Sequence, residues 1–244
     1  MSDGSGGGPW VIGMRWERLL FAHWPMPVEE LGGLIPDGLE LDTFDGQAWI
    51  GIVPFRMARV GPVGLPLPGR LGNFGEINVR TYVRPTDPAD GPPGVWFLSL
   101  DAENPYVVAG GRAVFHLPYF RARIAVVEDG AFVDYRSRRT HQGAPIGRFE
   151  ARYRPIGPAE PATPGSLEEW LTARYALYSA DRGGTVFRGD IQHEPWRLAA
   201  AEWELGVETM LSSLGLRRPD DPPLLHHAEP LEVVGSWPMR LRDR

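Results

Sequence analysis

Residues Glu76 to Arg84, reading Glu-Ile-Asn-Val-Arg-Thr-Tyr-Val-Arg, alternate without a break between two kinds of side chain. Successive side chains of an extended chain point to opposite sides, so Ile77, Val79, Thr81 and Val83 share one face while Glu76, Asn78, Arg80, Tyr82 and Arg84 share the other. A helix would scatter both sets around its axis, so this segment commits the chain to a β-sheet. Val95 to Asp101 repeats the pattern, with Trp96, Leu98 and Leu100 against Val95, Phe97, Ser99 and Asp101. Arg148 to Arg154 sets Phe149, Ala151 and Tyr153 against Arg148, Glu150, Arg152 and Arg154, as a half-solvated strand would. Asp45-Gly46 and Asp129-Gly130 each lie between apolar runs, which predicts two hairpins closed by turns with positive φ.

Helical signals are few. Ser166-Leu-Glu-Glu169 has the spacing of a capping box, and Leu167, Trp170, Leu171, Arg174 and Tyr175 follow at helical intervals. Short helices are also predicted over Val28 to Leu34 and Val207 to Leu214. Pro and Gly clusters at Gly61 to Gly69, Arg84 to Gly94, Gly157 to Gly165 and Arg217 to Pro223 read as loops, not domain linkers. At 244 residues the chain is long enough for one core burying roughly 70–75% of its unfolded surface. The Ser/Gly-rich start has neither a basic region nor an apolar run after it, so residues 1–13 read as a flexible tail and 14–244 as a single domain. With no run near the eighteen or so apolar residues that span a bilayer, the expectation is a soluble cytoplasmic protein without membrane partners.

Composition narrows the chemistry. All 25 basic residues are arginine, and a chain without lysine forms no side-chain Schiff base, no pyridoxal anchor and no phosphate-loop contact. No cysteine is present, which removes thiol nucleophiles, disulfides and thiolate metal sites. A net charge of -6 argues against a nucleic-acid partner, and the cluster Arg136, Arg138 and Arg139 reads as a solvated face. Dinucleotide, phosphate-loop, nucleophile-elbow and His-Glu-x-x-His patterns are absent: His193-Glu194 runs into Pro195, and adjacent His226 and His227 would point to opposite faces of a strand. Neither a metal nor a cofactor is expected.

Several short segments together resemble the YqjF-like family of uncharacterised proteins, within the acetoacetate decarboxylase-like superfamily. They are Phe21-Ala-His-Trp-Pro25, Gly46-Gln-Ala-Trp49 with Val53-Pro-Phe55, Glu76 to Val83, Trp96 to Asp101, Leu117-Pro-Tyr119, Arg174 to Tyr178 and His193-Glu-Pro-Trp196. The resemblance implies a mainly β fold, in which a large curved antiparallel sheet closes on a central cavity with a few helices outside, assembled as a homo-oligomer. In acetoacetate decarboxylase a reactive lysine follows a proline. The place resembling it here is Pro118-Tyr119, and a tyrosine forms no imine, so the fold is expected to transfer and the decarboxylase activity is not.

If the Glu76 face of its strand lines that cavity, Glu76, Asn78, Arg80 and Tyr82 project into it, and Ser99 and Asp101 reach the same space from an antiparallel neighbour. Arg80 or Arg112 then suits a ligand carboxylate, Glu76 or Asp101 suits proton transfer, and Tyr119 suits a carbonyl oxygen. His193 would stand at the mouth, titrating near neutral pH. The same residues also fit a solvated outer face, or a structural network with Glu76–Arg80 or Asp101–Arg112 pairs, and Tyr119 and His193 fit packing and loop capping. Arg174 fits a salt bridge from helix to sheet. The functional expectation is a small-molecule-binding protein or lysine-independent enzyme for a small carboxylate or carbonyl compound. A non-catalytic sensor and a partner-binding structural protein are the alternatives.

Overall fold

The computed structural model describes residues 9–241. Its strands are β1 (Trp10–Glu17), β2 (Leu19–Met26), β3 (Leu39–Leu41), β4 (Ala48–Pro62), β5 (Phe74–Pro85), β6 (Gly94–Ala102), β7 (Tyr119–Asp129) and β8 (Phe132–Arg139). They continue as β9 (Arg148–Pro155), β10 (Glu160–Pro161), β11 (Ala176–Ala180), β12 (Val186–His193), β13 (Arg197–Glu208), β14 (Leu224–Ala228), β15 (Leu231–Ser236) and β16 (Met239–Arg240). Short helices α1 (Val28–Gly32), α2 (Gly69–Gly72), α3 (Pro105–Ala113) and α4 (Leu167–Thr172) lie between them. No helix among the described residues is long and apolar enough to cross a membrane.

The sheet closes twice. Strands β1, β15, β12, β11, β6, β5 and β4 pair in that order and β4 returns to β1, forming one ring. Strands β6, β7, β8, β9, β13, β14, β2, β4 and β5 pair in sequence and β5 returns to β6, forming a second. The rings share β4, β5 and β6, which are therefore buried on both faces. Most ladders are antiparallel, but β6 runs parallel to both β7 and β11. The β6–β7 crossover carries α3, as a parallel connection requires.

The second ring is filled. Ile50, Ile52, Ile77, Val79, Ile124, Tyr135, Phe149 and Tyr153 point into it and are buried against one another. Each fully buried large side chain stabilises by about 1.5–3 kcal/mol, so this interior is the main hydrophobic core. Two buried hydroxyls tie it to the neighbouring backbone: Tyr135 donates to Glu76 O at 2.6 Å and Tyr153 to Arg18 O at 2.6 Å. The first ring, packed by Phe21, Val53, Phe55 and Leu100 among others, keeps a hollow.

Several local expectations change. Strand β1 opens at Trp10, so order begins inside the segment read as a tail, whose first eight residues lie outside the described ones. Asp129-Gly130 closes the β7–β8 hairpin, but Asp45-Gly46 closes only an isolated Phe44–Gln47 bridge, because β3 pairs with β5 and not β4. Helix α4 begins as predicted, with Ser166 Oγ accepting from Glu169 N, and ends at Thr172, leaving Arg174 and Tyr175 beyond it. Val207 and Glu208 finish β13, and only Ser212–Leu214 forms a single 3-10 turn. Arg136 and Arg138 are solvated, whereas Arg139 is buried. The expected solvated cluster is thus split: Arg139 falls on the opposite face of β8 from Arg136 and Arg138, and its pairing with Asp101 takes it inside.

Candidate functional site

The hollow of the first ring is a cavity of about 260 Å³, just below the roughly 300 Å³ at which small-molecule sites begin. Every strand of the ring contributes to its wall. Ile12, Met14 and Trp16 come from β1, Val53, Phe55 and Met57 from β4, and Glu76, Asn78 and Arg80 from β5, each set at the two-residue interval of one strand face. Helix α3 closes the cavity beside Glu76: a Cβ on Gly111 would stand 2.4 Å from the Tyr119 ring, so glycine there lets the tyrosine lie against the helix. Helix α4 closes it beside Arg80, through the Leu171 carbonyl.

A β-bulge decides what β6 adds. Val79 pairs with Ser99, but the next pair is Arg80 with Phe97, so Leu98 is an extra residue on β6. Beyond it the strand changes face. Val95, Phe97 and Leu100 line the cavity, while Ser99 and Asp101, expected there, turn to the second ring. Asp101 is fully buried and takes a fork from Arg139, with Nε to Oδ2 at 2.9 Å and Nη2 to Oδ1 at 2.7 Å. The guanidinium lies 4.0 Å from the Phe120 ring centroid. Asp101 and Ser99 thus lie outside the cavity wall, and Asp101 is occupied by Arg139.

Two more expected residues stand elsewhere. Arg112 is exposed on α3 and donates from Nη1 to Tyr119 O at 2.8 Å, outside the wall, while Gly110 and Gly111 of the same turn face the cavity. Tyr82 is completely buried behind Arg80, where its hydroxyl donates to Leu171 O at 2.8 Å and meets His23 Nε2 at 2.7 Å. With the phenol proton committed to Leu171 O, His23 Nε2 is the donor to Tyr82. Burial first, then Arg80 and His226, hold His23 well below the usual imidazole range, so it is neutral. Gly51 makes this contact possible: a Cβ there would stand 2.7 Å from His23 Cδ2.

The polar groups that do line the cavity are Glu76, Asn78, Arg80, Tyr119 and His193 from the expected set, joined by Thr172, Arg174, Asp190 and Ser236. The Tyr119 hydroxyl donates to Glu76 Oε2 at 3.2 Å. Burial pushes the Glu76 carboxyl up to about 8; the Tyr119 hydrogen bond offsets part of this and the Asp101 charge adds to it. Burial, with the Glu76 charge, raises the Tyr119 phenol well above its ordinary value. Both are therefore protonated at neutral pH. His193 is held down by burial, against the pull of its 2.7 Å Nδ1 contact with Glu194 O, and it packs between Tyr175 and Trp196.

The remaining ions are nearly all paired. Arg174 Nη1 reaches Asp42 at 2.6 Å, a bridge from the end of α4 to the end of β3, as the helix-to-sheet expectation had it. Arg188 Nη2 donates to Asp190 Oδ2 at 3.2 Å. Arg80 is different. It donates from Nη2 to Leu171 O at 3.2 Å and lies over the Phe21 and Tyr82 rings, and no carboxylate among the described residues pairs with it. Around it Trp16 stacks on Trp196 at 5.7 Å, with Phe21 edge-on to Trp196 at 5.3 Å. The sequence singled out none of Ile12, Met14, Trp16, Val53, Phe55 and Met57 as lining, although each set carries the same period as the polar face.

The fold and the sequence both have relatives. The uncharacterized protein YqjF of Bacillus subtilis (strain 168) is 41% identical over 233 residues, which cover 96% of this chain and 93% of that protein. Acetoacetate decarboxylase from Legionella pneumophila superposes with a TM-score of 0.61 at 14% identity, over 97% of this chain and 88% of that one. The enduracididine biosynthesis enzyme MppR, complexed with pyruvate, superposes with a TM-score of 0.61 at 12% identity, over 99% and 93% of the two chains. At such identities the likeness is one of fold, the acetoacetate decarboxylase fold. The model of the DUF2071 family, described as an uncharacterized conserved protein, matches residues 13–232, and this chain belongs to that family.

Proposed function

We propose that the cavity of the first ring binds a small, mainly apolar carboxylic acid as its anion. The carrying observation is Arg80, a guanidinium in an apolar, aromatic-walled cavity with no carboxylate partner among the described residues. Glu76 is neutral at pH 7, Asp190 and Arg174 have their own counter-ions, and His193 is neutral, so the cavity carries one uncompensated positive charge. An enclosed charge without a partner is costly, and a ligand anion removes that cost while forming a charge-assisted hydrogen bond. The pyruvate bound to MppR, a protein of the same fold, is a small carboxylate and supports this reading.

A second reading, acid–base catalysis, is favoured by Glu76 alone. A carboxyl pushed up to about 8 and hydrogen-bonded to a phenol is poised to give a proton near neutral pH and take it back. Such chemistry uses no lysine. Thermal unfolding against a panel of monocarboxylates and neutral isosteric amides tests the binding reading. A carboxylate at about a hundred times its dissociation constant adds roughly 2.7 kcal/mol, a rise of a few degrees. The amides and the Arg80→Ala variant are expected to show none of it; equal shifts in parent and variant would refute the Arg80 role.

A further inference from the structure

The polar groups of the cavity are strung out along one strand. Glu76, Asn78 and Arg80 are successive inward residues of β5, so the first and last Cα atoms are about 13 Å apart at ordinary strand rise. Each end is held in place. The Arg80 guanidinium stays beside α4, on the Leu171 carbonyl and over Phe21, while the Glu76 carboxyl stays beside α3, on the Tyr119 hydroxyl. The wall between them is apolar, from Phe55, Phe97 and Leu100, apart from Asn78, whose Oδ1 has no protein partner.

We infer that the ligand has two polar ends: an anionic group on Arg80 and, across an apolar middle, a neutral hydroxyl or carbonyl oxygen on Glu76 and Tyr119. The inference rests on the carboxylate reading of Arg80 and specifies what the far end recognises. A protonated Glu76 that accepts from Tyr119 still has one O–H to donate, and the Tyr119 oxygen still has a free lone pair. That end offers one donor and one acceptor, which match a hydroxyl in both senses and a carbonyl in one. A second carboxylate does not fit, because the lining near Glu76 holds no cation: Arg112, the basic residue of α3, is exposed and engages the Tyr119 carbonyl from outside. An alkyl end does not fit either, since it would leave the Glu76 hydroxyl buried and unpartnered.

Hexanoate, octanoate and decanoate, each compared with its ω-hydroxy counterpart, provide the test by calorimetric titration at neutral pH. At the chain length that spans the cavity, the ω-hydroxy acid is expected to bind about fivefold or more tightly than the plain acid. Tyr119→Phe, which keeps the ring and removes one of the two partners of the far end, is expected to reduce the preference without abolishing it, since the Glu76 O–H remains. Glu76→Gln is expected to keep the preference, because an amide is also a neutral donor. Arg80→Ala is expected to weaken both acids together. Equal affinity of plain and ω-hydroxy acids in the parent, with Arg80 still required, would overturn the two-ended ligand and leave the carboxylate reading standing. Affinities unchanged in Arg80→Ala, or no binding by any member of the series, would overturn both.

Discussion

Tyr119 and Glu76 share a 3.2 Å hydrogen bond inside a cavity walled mainly by apolar side chains. The tyrosine opens β7 and the glutamate lies near the start of β5, so the bond links two strands through β6, which separates them. The bond by itself favours the carboxylate, but burial outweighs it, so the Glu76 carboxyl is neutral at pH 7 in the folded chain.

Stability should therefore fall as pH rises past the ordinary carboxylate range. Glu76 titrates near 4.5 when unfolded and near 8 when folded, so between these values the folded state holds a proton that the unfolded state has released. This contribution is fully present below about pH 4.5 and is lost as pH rises to about 8, with a slope approaching 1.4 kcal/mol per pH unit. Buried histidines such as His23 and His193 work the other way, losing stability as pH falls below the ordinary imidazole value. Urea melts of parent and Glu76→Gln isolate the glutamate: the variant should be the more stable at pH 7, and the advantage should vanish at pH 4. A constant difference across that range would contradict a raised Glu76.

Arg80→Met should separate stability from binding. The methionine keeps much of the buried stem while removing a charge that has no carboxylate partner, so the ligand-free protein is expected to gain about 1 kcal/mol. Carboxylate-induced stabilisation should disappear in the same variant. A loss of stability without ligand would mean that the Leu171 hydrogen bond outweighs the cost of the charge.

Asp101→Asn and Arg139→Met should each cost about 3–5 kcal/mol, because either leaves a buried charge or its partner unmatched. The double variant Asp101→Leu with Arg139→Met is expected to cost less than the sum, and the coupling is read from a double-mutant cycle in urea. Carboxylate affinity should be unchanged in the stable variants, since both residues face the second ring. A large affinity change would return Asp101 to the ligand site.

Gly111→Ala should act on the site through packing. Its Cβ would stand 2.4 Å from Tyr119 Cδ2, so the ring must move and its bond to Glu76 with it. A stability loss of about 1–3 kcal/mol is expected from the overpacking. The same shift should lower the preference for an ω-hydroxy acid, as Tyr119→Phe does, and a titration of the two acids would read it. Gly110 beside it has open space, so Gly110→Ala serves as the control for overpacking and should not lower stability.

What the sequence by itself determined is local or residue-intrinsic. A period of two over Glu76 to Arg84 commits that segment to a strand whatever surrounds it, and both of its faces proved buried, with Ile77 and Val79 in the filled ring and Glu76, Asn78 and Arg80 on the cavity. The absence of lysine removes imine chemistry regardless of fold, and the run of family-like segments placed the chain in its fold before any coordinate. The tertiary structure decided how strands distant in sequence meet. Leu98 bulges because of the register between β5 and β6, and that single extra residue moves Ser99 and Asp101 to the opposite face while bringing Leu100 to the cavity. Asp101 finds Arg139, a residue 38 positions away, and Arg112 turns outward on a helix whose orientation is set by what packs beneath it. Alternation specifies which side chains share a face only as long as the strand is regular. Register, bulges and ring closure arise from the packing of both interiors at once, and no stretch of the chain encodes them alone.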